Sequence, residues 1–379
     1  MSQSSINGQA APLGAALAEA ARLINRSRLT VVAGLGVDVA GARAAIGLCD
    51  RIGGVVDHMH SIGLLRDLDV MREFGLMLTT PSEARIRGDV VLLVGGGLSE
   101  AGLLDLWPDL CTRTLAPPAR VGAARQIIRL GPDEVGLQAL TRAAGDKSAN
   151  IQTIFADHAS LPEQLAALRA RVNGRPVALT ASRLTEIDAT AAVLQSSTYG
   201  VAVWSAADLD ALSIEMLCGL MKDLNAKTRF TGLPLAPGDN AAAVQQVCAW
   251  MTGLPVRTGF ARGFPEHDPW MFDAERLVES GEADCVIWIS AYRAVTPRWR
   301  KPFALIALTD ASAEFTQIPA VQIEVGRPGV DHDSVDYCAP MATLASKPAT
   351  RPSDKPSAAD VIGMLAVALD EEAGGAASC

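Results

Sequence analysis

Long apolar runs alternate along this chain with segments in which apolar residues recur every three or four positions. The run LTVVAGLG at 29–36 is followed by a helical pattern at 39–52 and by the short apolar segment GGVVDH at 53–58. A continuous apolar run is typical of a strand buried on both faces, as in a parallel sheet covered by helices. The order strand, helix, strand therefore predicts the repeating unit of a parallel α/β fold.

The same alternation continues along the chain in two successive series. Further strands are predicted at 89–97, 125–130, 150–156, 174–182, 199–206, 283–292, 303–310 and 320–325, and helices at 13–26, 161–172, 185–197, 208–226 and 357–372. Because the pattern restarts near residues 170–175, it predicts an α/β protein of two doubly wound, Rossmann-like parallel-sheet domains.

Four consecutive segments are expected from these series. Residues 1–25 form an N-terminal arm, expected to be flexible over 1–12, and the start of the first helix, and residues 26–172 form the first Rossmann-like domain. Residues 173–345 form the second domain. The Pro-rich stretch KPATRPSDKP then makes the last segment, 346–379, a linker followed by a C-terminal helix with Ser357 as its N-cap.

Composition and charge narrow the classes of partner. Of the 379 residues, 49% are apolar and 4% aromatic, which allows a sizeable core built on Ala, Val, Leu and Ile. The net charge of −9 argues against nucleic acid or an anionic membrane as the main partner. The N-terminus lacks the pattern of a signal peptide and no window reaches the ~20 apolar residues of a membrane span, so a soluble, cytoplasmic protein is expected.

Seven cysteines are scattered through the chain, and none forms a CxxC pair. Reduced thiols in a cytoplasmic core are therefore expected, and an iron–sulfur cluster, which needs closely spaced thiolates, is not. The sequence also lacks the GxSxG, HExxH and P-loop motifs. The residues alone thus predict a fold and no active site.

Two glycine-rich turns follow predicted strands at places where an α/β sheet usually binds its ligand. The first, GLGVDVAG, contains Gly34 and Gly36 but departs from the dinucleotide pattern GxGxxG at its last glycine. The second consists of Gly95, Gly96 and Gly97. The first turn could bind a phosphate or serve only as a tight turn, and the second could admit a ligand or a neighbouring chain. Together the five glycines are candidates for a vestigial cofactor cleft.

The segment from Asp57 to His60 contains two histidines two residues apart. In an extended chain His58 and His60 face the same side and could share a metal ion, but such a site needs two further ligands. Hydrogen-bonded histidines at a strand end are therefore the favoured interpretation. Whether a residual metal binds at Asp57, His58 and His60 stays open at this point.

Two polar loops contain aromatic residues that are typical of contact surfaces. The segment RGFPEHDPW is interpreted as an interface loop in preference to a ligand loop. Its contact residues would be Arg262, Phe264, His267 and Trp270. The segment YRAVTPRWRKPF is a basic cluster that could anchor a partner, hold a polyanionic tail, or lie in solvent. Its members are Arg293, Arg298, Trp299, Arg300 and Lys301.

Four segments, in order, resemble the B subunit of formylmethanofuran dehydrogenase, a molybdopterin-dependent oxidoreductase. They are the stretch 29–61, TTPSEARIRGDVVLLVGGG, NAAAVQQVCAWMTGLPVRTGFARGFPEHDPW, and GEADCVIWISA. The third is the most specific, and together they extend over roughly residues 25 to 340. The resemblance implies that the two Rossmann-like domains are of the molybdopterin-oxidoreductase type.

The chain departs from this family where the family binds its cofactors. It has no cysteine before Cys49, whereas the redox-active members carry an N-terminal cysteine cluster for a [4Fe–4S] centre. Met59, followed by His60, stands where the resemblance implies a Cys or selenocysteine ligand of tungsten or molybdenum. The residues LSE at 98–100 replace the pterin contacts. The resemblance therefore implies a chain without an Fe–S domain, molybdopterin, metal or catalytic residues.

This degenerate form is similar to the B subunit of the formyltransferase/hydrolase complex of methylotrophic bacteria. The resemblance implies a non-catalytic structural subunit of a complex that transfers a formyl group from formyl-tetrahydromethanopterin to methylofuran and hydrolyses it to formate. Its partners would be the A (hydrolase), C and D (formyltransferase) subunits, with a doubled assembly and bound methylofuran as further options. Two alternatives stay open: an active tungsten or molybdenum oxidoreductase, and a binding module for the polyanionic methylofuran tail.

Overall fold

The computed structural model describes residues 4–98, 103, 106, 125–132, 150–310 and 312–376. The chain divides into two compact units. Unit 1 consists of residues 1–61, 239–337 and 344–379, and unit 2 of residues 62–238 and 338–343. Positions 99 and 100, where the sequence predicts lost pterin contacts, lie outside the described residues.

The strands are short, and the central ones are buried. In chain order they are β1 (Ser4–Ile6), β2 (Gln9–Ala10), β3 (Thr30–Gly36), β4 (Val55–Val56), β5 (Val90–Val94), β6 (Gln126–Gly131), β7 (Asn150–Phe155), β8 (Gly200–Trp204), β9 (Phe230–Pro234), β10 (Thr258–Gly259), β11 (Glu266–His267), β12 (Cys285–Ser290), β13 (Ala304–Thr309), β14 (Val321–Glu324), β15 (Ser334–Cys338) and β16 (Thr343–Lys347).

Of the ten helices in the described ranges, six lie where the sequence predicts a helix, and those at 61–74, 81–87, 241–252 and 274–280 were not predicted. The ten are α1 (Leu13–Arg26), α2 (Val39–Ile52), α3 (Ser61–Phe74), α4 (Pro81–Arg87), α5 (Leu161–Val172), α6 (Ala181–Gln195), α7 (Ala211–Leu224), α8 (Ala241–Thr252), α9 (Ala274–Ser280) and α10 (Ala358–Ala376), with a 3-10 turn at Ala339–Met341. Ser357 accepts the backbone N–H of Asp360 at 3.1 Å, as expected for the N-cap of α10.

Unit 1 is built on a nine-stranded sheet in the order β11-β10-β4-β3-β12-β13-β14-β1-β2. Its centre, from β4 to β14, is parallel, whereas the strands at both edges run antiparallel. β3 lies directly beside β12, with Val31 opposite Val286, although the two strands are distant in the sequence. The chain therefore returns after unit 2 to complete the sheet that it began.

Both faces of the unit 1 sheet are buried, as the continuous apolar runs predicted. Val31 and Ala33 of β3 share an apolar cluster with α9 and β12, while Val32 between them points to the other face and is fully buried. Among the helices, α10 packs on α1 and α2, and α2 packs on α8. The core of unit 1 thus lies on two sides of one parallel sheet.

Unit 2 contains a five-stranded sheet in the order β7-β6-β5-β8-β9, and all of its pairings are parallel. Leu92 and Val94 of β5 face a cluster with α5, α6 and α7, whereas Val91 and Leu93 face a cluster that includes α4. The alternation along β5 is the period of two that a strand imposes. The prediction of an α/β protein with parallel sheets is confirmed.

The two units differ from the predicted consecutive domains at 26–172 and 173–345. Nearly all of unit 2 is one continuous insertion, from 62 to 238, and unit 1 is assembled from segments on both sides of it. The hydrophobic pattern predicts where strands occur but not which strands pair. It therefore places a boundary where the pattern restarts, and not where the chain leaves one sheet for the other.

Two local predictions are wrong. The N-terminal arm is not free, because β1 pairs with β14 and β2 pairs with β1 at the edge of the unit 1 sheet. The predicted strand at 174–182 is not a strand: the chain there contains Pro176, is largely exposed, and leads into α6. Proline cannot donate to a ladder, which disfavours a central strand at this position.

No helix among the described residues is long and apolar enough to span a bilayer.

Candidate functional site

The carboxyl ends of β3 and β12 meet near the centre of the unit 1 sheet. From β3 the sheet continues in one direction through β4, and from β12 it continues in the other through β13 and β14. An open α/β sheet binds its ligands at such a reversal of strand order, outside the carboxyl ends of the strands. We call this place the unit 1 crevice; Met59 and Asp239 both lie against Gly36 there.

Asp239 is the central charge of the unit 1 crevice. Its side chain is 1% exposed and accepts hydrogen bonds from Nε of Arg293 at 2.8 Å and from Nε2 of His60 at 3.0 Å. Nη2 of Arg293 donates a second, shorter bond. Burial alone would raise the pKa of Asp239, but the bonds from Arg293 and His60 outweigh burial and hold that pKa well below its usual value. Asp239 is therefore ionised at neutral pH.

The backbone around Asp239 is strained and firmly held. Asp239 and Asn240 have φ values of 56° and 60°, in the left-handed region that side chains other than glycine rarely adopt. Asn240 donates from Nδ2 to the carbonyl of Val37 at 2.8 Å, and its Oδ1 accepts the N–H of Tyr337 at 2.8 Å. Strain of this kind persists only where the surroundings fix the chain, and it often marks functional or formerly functional turns.

Asp57 follows β4 and is buried beside the crevice. Its carboxylate accepts the N–H of His58 at 2.8 Å, the N–H of Ala274 at 3.0 Å and the hydroxyl of Ser61 at a shorter distance, and Arg257 lies 3.5 Å away. Burial raises the pKa of Asp57 to about 6, although Arg257 and these hydrogen bonds oppose the rise. Both carboxylate oxygens are thus engaged with groups of the protein itself.

His58 and His60 are adjacent, and their ring nitrogens face groups of this chain. Their rings lie 5.5 Å apart, and the backbone N–H of His60 donates to Nδ1 of His58 at 3.0 Å. Burial lowers the pKa of His58 to about 3, so its ring is uncharged at neutral pH. Across the ranges that the structure describes, no three His, Cys, Asp or Glu side chains are grouped so that they could hold a metal ion.

Met59 occupies the position at which the resemblance implies a metal ligand. Its side chain packs against the apolar cluster formed by β3, α9 and β12, and its Cε lies 3.3 Å from the place of a Cβ on Gly36. A thioether is a poor ligand for high-valent tungsten or molybdenum, and a pterin phosphate here would meet the ionised Asp239. The residues of the unit 1 crevice do not fit a molybdopterin cofactor.

Gly34 and Gly36 are needed for the packing of the protein on itself. Gly34 has φ 79°, and a Cβ on it would stand 2.6 Å from the carbonyl oxygen of Ile289 and 3.1 Å from the ring of Trp288. The N–H of Met59 donates to the carbonyl of Gly34 at 3.1 Å. The predicted alternative of a tight turn accounts for these contacts without a ligand.

The three glycines after β5 lie at the carboxyl end of the strand from which the unit 2 sheet continues through β6 on one side and β8 on the other. We call this place the unit 2 crevice. Gly95 and Gly97 have φ values of 90° and 61°; a Cβ on Gly97 would stand 1.9 Å from Oδ2 of Asp208, and one on Gly95 2.6 Å from Leu209. A Cβ on Gly96 would meet only ordinary contacts at 3.8 Å. The groups that approach this turn therefore include residues of this same chain.

The predicted interface loop exposes its two aromatic residues. Phe264 is 52% exposed and Trp270 is 69% exposed. The guanidinium of Arg276 lies 4.4 Å from the ring centre of Trp270 and donates to the carbonyls of Trp270 and Met271. The carboxylate of Asp268 accepts the N–H groups of the same two residues. The loop thus presents apolar surface on a backbone that hydrogen bonds hold in place.

The two other predicted contact residues of this loop bond within it. Arg262 pairs with Glu266 at 3.2 Å, and its side chain is 72% exposed. Nδ1 of His267 donates to the carbonyl of Arg257 at 2.9 Å, where β11 pairs with β10. Phe264 and Trp270 therefore remain the strongest candidates for contact with a partner.

The predicted basic cluster is divided between two places in the fold. Arg293 lies at the carboxyl edge of the sheet with Asp239, whereas the N–H of Arg300 donates to Glu279 at 2.6 Å, just before β13 begins. Trp299 stacks edge-on against Trp288, with ring centres 5.6 Å apart, and so anchors the loop to the core. The remaining side chains are exposed; they are Arg298, Arg300 and Lys301.

Three residues that matter in these places are not singled out by the sequence pattern. Asp239 and Arg257 meet their partners across long sequence separations, and Asp208 falls within a predicted helical segment. A local signal exists for Asp239, because Gly238-Asp239-Asn240 is a typical turn composition before a helix. It indicates a turn, but not the arginine and histidine that the turn faces.

No family model matches the chain. A curated relative, the B subunit of the formyltransferase/hydrolase complex Fhc of Methylorubrum extorquens, is 31% identical over 376 residues, which cover 97% of this chain and 98% of the relative. The B subunit of the tungsten-containing formylmethanofuran dehydrogenase 2 of Methanocaldococcus jannaschii is 25% identical over 292 residues, which cover 73% of this chain and 63% of that protein.

A solved structure also matches nearly the whole chain. It is the crystal structure of the formyltransferase/hydrolase complex FhcABCD from Methylorubrum extorquens with methylofuran, with a TM-score of 0.84 and 30% identity over 98% of this chain and 99% of that one. Both matches to the formyltransferase/hydrolase complex cover nearly the whole chain, so they include both units. The chain belongs to the B-subunit family of the formyltransferase/hydrolase complex.

Proposed function

We propose that this chain is the non-catalytic, structural B subunit of a formyltransferase/hydrolase complex. The complex would transfer a formyl group from formyl-tetrahydromethanopterin to methylofuran and hydrolyse it to formate during one-carbon oxidation. The chemistry would lie on its partners, the hydrolase (A) and formyltransferase (D) subunits, with the C subunit completing the assembly. The five described cysteines are free thiols, four of them buried, which supports a cytoplasmic location.

One observation carries the non-catalytic role. At the reversal of strand order, where this type of sheet binds its ligand, the side chains include the thioether of Met59 and the carboxylate of Asp239, which is bonded to Arg293 and His60. Catalysis needs groups that are free to act on a substrate, and here the charged groups are already bound to one another. The alternative of an active tungsten or molybdenum oxidoreductase lacks a suitable ligand at this place.

The strand orders support a doubly wound, Rossmann-like architecture for both units. Numbered along the chain, the parallel strands of unit 1 run 2-1-3-4-5 and those of unit 2 run 3-2-1-4-5. These are the two common orders of doubly wound nucleotide-binding sheets. We therefore regard each unit as a Rossmann-like domain that has lost its ligand-binding site.

The interface loop is our candidate for contact with another subunit. Hot spots of protein interfaces are enriched in exposed aromatic residues that sit on a preformed surface. Phe264 and Trp270 meet this description, and Arg276 holds the second of them in place. Chains with a structural role need such surfaces more than they need a cleft.

The experiment is isolation of the tagged chain from its native host, with mass spectrometry of the co-eluting proteins and assay of tungsten, molybdenum and iron in the same sample. The proposal predicts three stoichiometric partners, one of them a formyltransferase, and less than one-tenth of an equivalent of each metal per copy of this chain. A solitary or homo-oligomeric protein, or one equivalent of tungsten or molybdenum, would contradict it.

The exposed cations before β13 favour a second role that is compatible with the first. Arg298, Arg300 and Lys301 are exposed, and a polyanionic methylofuran tail would be attracted to them. The double variant Arg298→Glu, Arg300→Glu should then retain several-fold less methylofuran in the purified complex. Unchanged methylofuran content in an intact complex would remove this binding role.

A further inference from the structure

Each crevice contains an aspartate that lies just before the N-terminus of a helix. Asp239 precedes α8, whose N-cap is Asn240, and Asp208 lies two residues before Asp210, the N-cap of α7. The N-terminus of a helix carries a partial positive charge and unpaired N–H groups, and it is a common binding site for phosphate and carboxylate. In both units, therefore, an aspartate lies in the sequence just before such a helix N-terminus, and in unit 1 its carboxylate is bound by Arg293 and His60.

Each of these aspartates also lies against a glycine of its crevice. A Cβ on Gly97 would overlap the carboxylate of Asp208, and a Cβ on Gly36 would stand 3.5 Å from Cβ of Asp239. Glycines after the first strand of such a sheet let the backbone approach the phosphates of a bound nucleotide. Here the carboxylate of Asp208 makes this close approach at Gly97, and the Cβ of Asp239 is in ordinary van der Waals contact at Gly36.

The helix after β3 is occupied in a similar way. Asp38 is the N-cap of α2, and its carboxylate accepts the N–H of Gly41 at 2.8 Å. In dinucleotide-binding sheets a phosphate takes this position at the first helix. The unit 1 crevice therefore contains two carboxylates, Asp38 and Asp239, where the ligand of a related sheet would place its negative charge.

We propose that Asp239 and Asp208 are resident anions: each carboxylate takes the place of a ligand's anionic group, so that neither crevice accepts a phosphate-bearing cofactor. Arg293 and His60 would then be an anion-binding pair that is satisfied from within the chain. This inference rests on the proposed non-catalytic role and deepens it. It explains how a sheet of this type can lose its ligand and still keep its charged groups neutralised.

The test uses inorganic pyrophosphate as the probe and isothermal titration calorimetry of the full chain with its co-purified partners. The wild-type complex should show no binding to this chain at millimolar pyrophosphate. Asp239→Asn removes the negative charge and keeps the shape, so it should bind pyrophosphate at least tenfold more tightly. Adding Arg293→Gln to Asp239→Asn should abolish the gain, because it removes the cation that the probe needs.

Asp331→Asn is the matched control. Asp331 is 2% exposed and bonds to Arg351, which is 58% exposed, whereas Asp239 is 1% exposed and bonds to Arg293, which is 56% exposed. The control therefore frees an arginine of equal exposure outside both crevices, and it should gain less than twofold. Asp208→Asn tests unit 2 independently: it removes the negative charge beside Gly97 and should bind pyrophosphate more tightly than the wild type.

Several outcomes would overturn the proposal. They are pyrophosphate binding by the wild type that Arg293→Gln abolishes, a folded Asp239→Asn chain that gains no affinity, or an equal gain in Asp331→Asn. If Asp239→Asn does not fold, the wild type and Asp208→Asn decide by the same criteria. None of these results depends on which proteins co-purify or on the metal content, so failure here is distinguishable from failure of the proposed function.

Discussion

The unit 1 crevice and the interface loop use charged and apolar residues in opposite ways. In the crevice Asp57 and Asp239 are buried, and their carboxylates are bonded to cations or N–H groups of the same chain. In the loop Phe264 and Trp270 are more than half exposed, on a backbone that hydrogen bonds already hold. The crevice thus contains the residue types of an active site, but their side chains are bonded within the chain as in a core. The loop, in contrast, exposes apolar side chains that could contact a partner.

This difference separates what the chain needs to fold from what it needs to associate. Buried charges with internal partners stabilise one conformation, and removal of one partner leaves the other uncompensated. An exposed aromatic residue adds little to folding but can contribute much of the affinity of an interface. Variants in the two regions should therefore affect different measurements.

The largest effect is expected for Asp57→Ala. The substitution removes the carboxylate that accepts hydrogen bonds from two backbone N–H groups and from the Ser61 hydroxyl. It also removes one of the carboxylates near the largely buried Arg257. We expect a loss of about 3–5 kcal/mol in the free energy of unfolding, measured by urea denaturation. Asp50→Ala, at an exposed position of α2, should change it by less than about 0.5 kcal/mol. Equal effects of the two variants would contradict the structural role of Asp57.

Trp270→Ala, in contrast to Asp57→Ala, should weaken partner binding and leave the stability of the fold nearly unchanged. We expect the affinity of the chain for its partners in the complex to fall by about 2 kcal/mol or more, roughly 30-fold, in a binding titration. The free energy of unfolding of the isolated chain should change by less than about 1 kcal/mol, because 69% of the side chain is already exposed. Ile318→Ala is the control, since Ile318 is also 69% exposed but lies outside the loop. A comparable loss of affinity in the control would break the comparison.

Acid should affect the crevice through Asp239. Its pKa is held below the unfolded value of ~3.9, so its ionised form stabilises the fold above that pH, and this contribution is lost as pH falls below about 4. We expect the wild type to lose about 1 kcal/mol more stability than Asp239→Asn between pH 5 and pH 3, measured by urea unfolding at each pH. Parallel pH profiles for the two chains would show that Asp239 is not stabilised as an anion.

The smallest effect is expected for Arg276→Met, which keeps the length of the side chain but removes its charge and donors. The contact with the Trp270 ring and the bonds to two loop carbonyls are lost, while Trp270 itself remains. Partner affinity should fall by about 0.5–1 kcal/mol, or two- to fivefold. No change would mean that the aromatic ring alone provides the contact, and a change as large as that of Trp270→Ala would mean that its fixed position matters most.

The central strands could be predicted because each is a continuous apolar run, as in VVLLV of β5 and CVIWIS of β12. The edge strands could not, since β10 and β11 have two residues each and β1 has three. The apolar pattern also could not predict which strands pair. β3 pairs with β12 although the sequence of unit 2 lies between them, and nothing in the apolar period of either strand specifies its neighbour.

The candidate site shows the same limit. Residue types at Asp57, His58 and His60 drew attention to the carboxyl end of a strand of the first sheet, because clustered polar residues after a strand are unusual. Asp239 lies 179 residues from His60, so its role depends on tertiary contacts that local patterns do not contain. The left-handed turn at Asp239 and Asn240 was visible only as a Gly-Asp-Asn sequence.

The insertion of unit 2 has a consequence for how the protein is made. β3 and β4 leave the ribosome early, but β12, the central neighbour of β3, follows roughly 250 residues later. At ~5–20 residues per second this is an interval of roughly 10–50 s, during which β3, whose residues are all buried in the finished fold, has one edge unpaired. Unit 2, in contrast, is nearly complete as soon as residue 238 has emerged. During synthesis, therefore, unit 2 should fold while β3 and β4 still lack their partner β12. This is the stage at which chaperones are most needed.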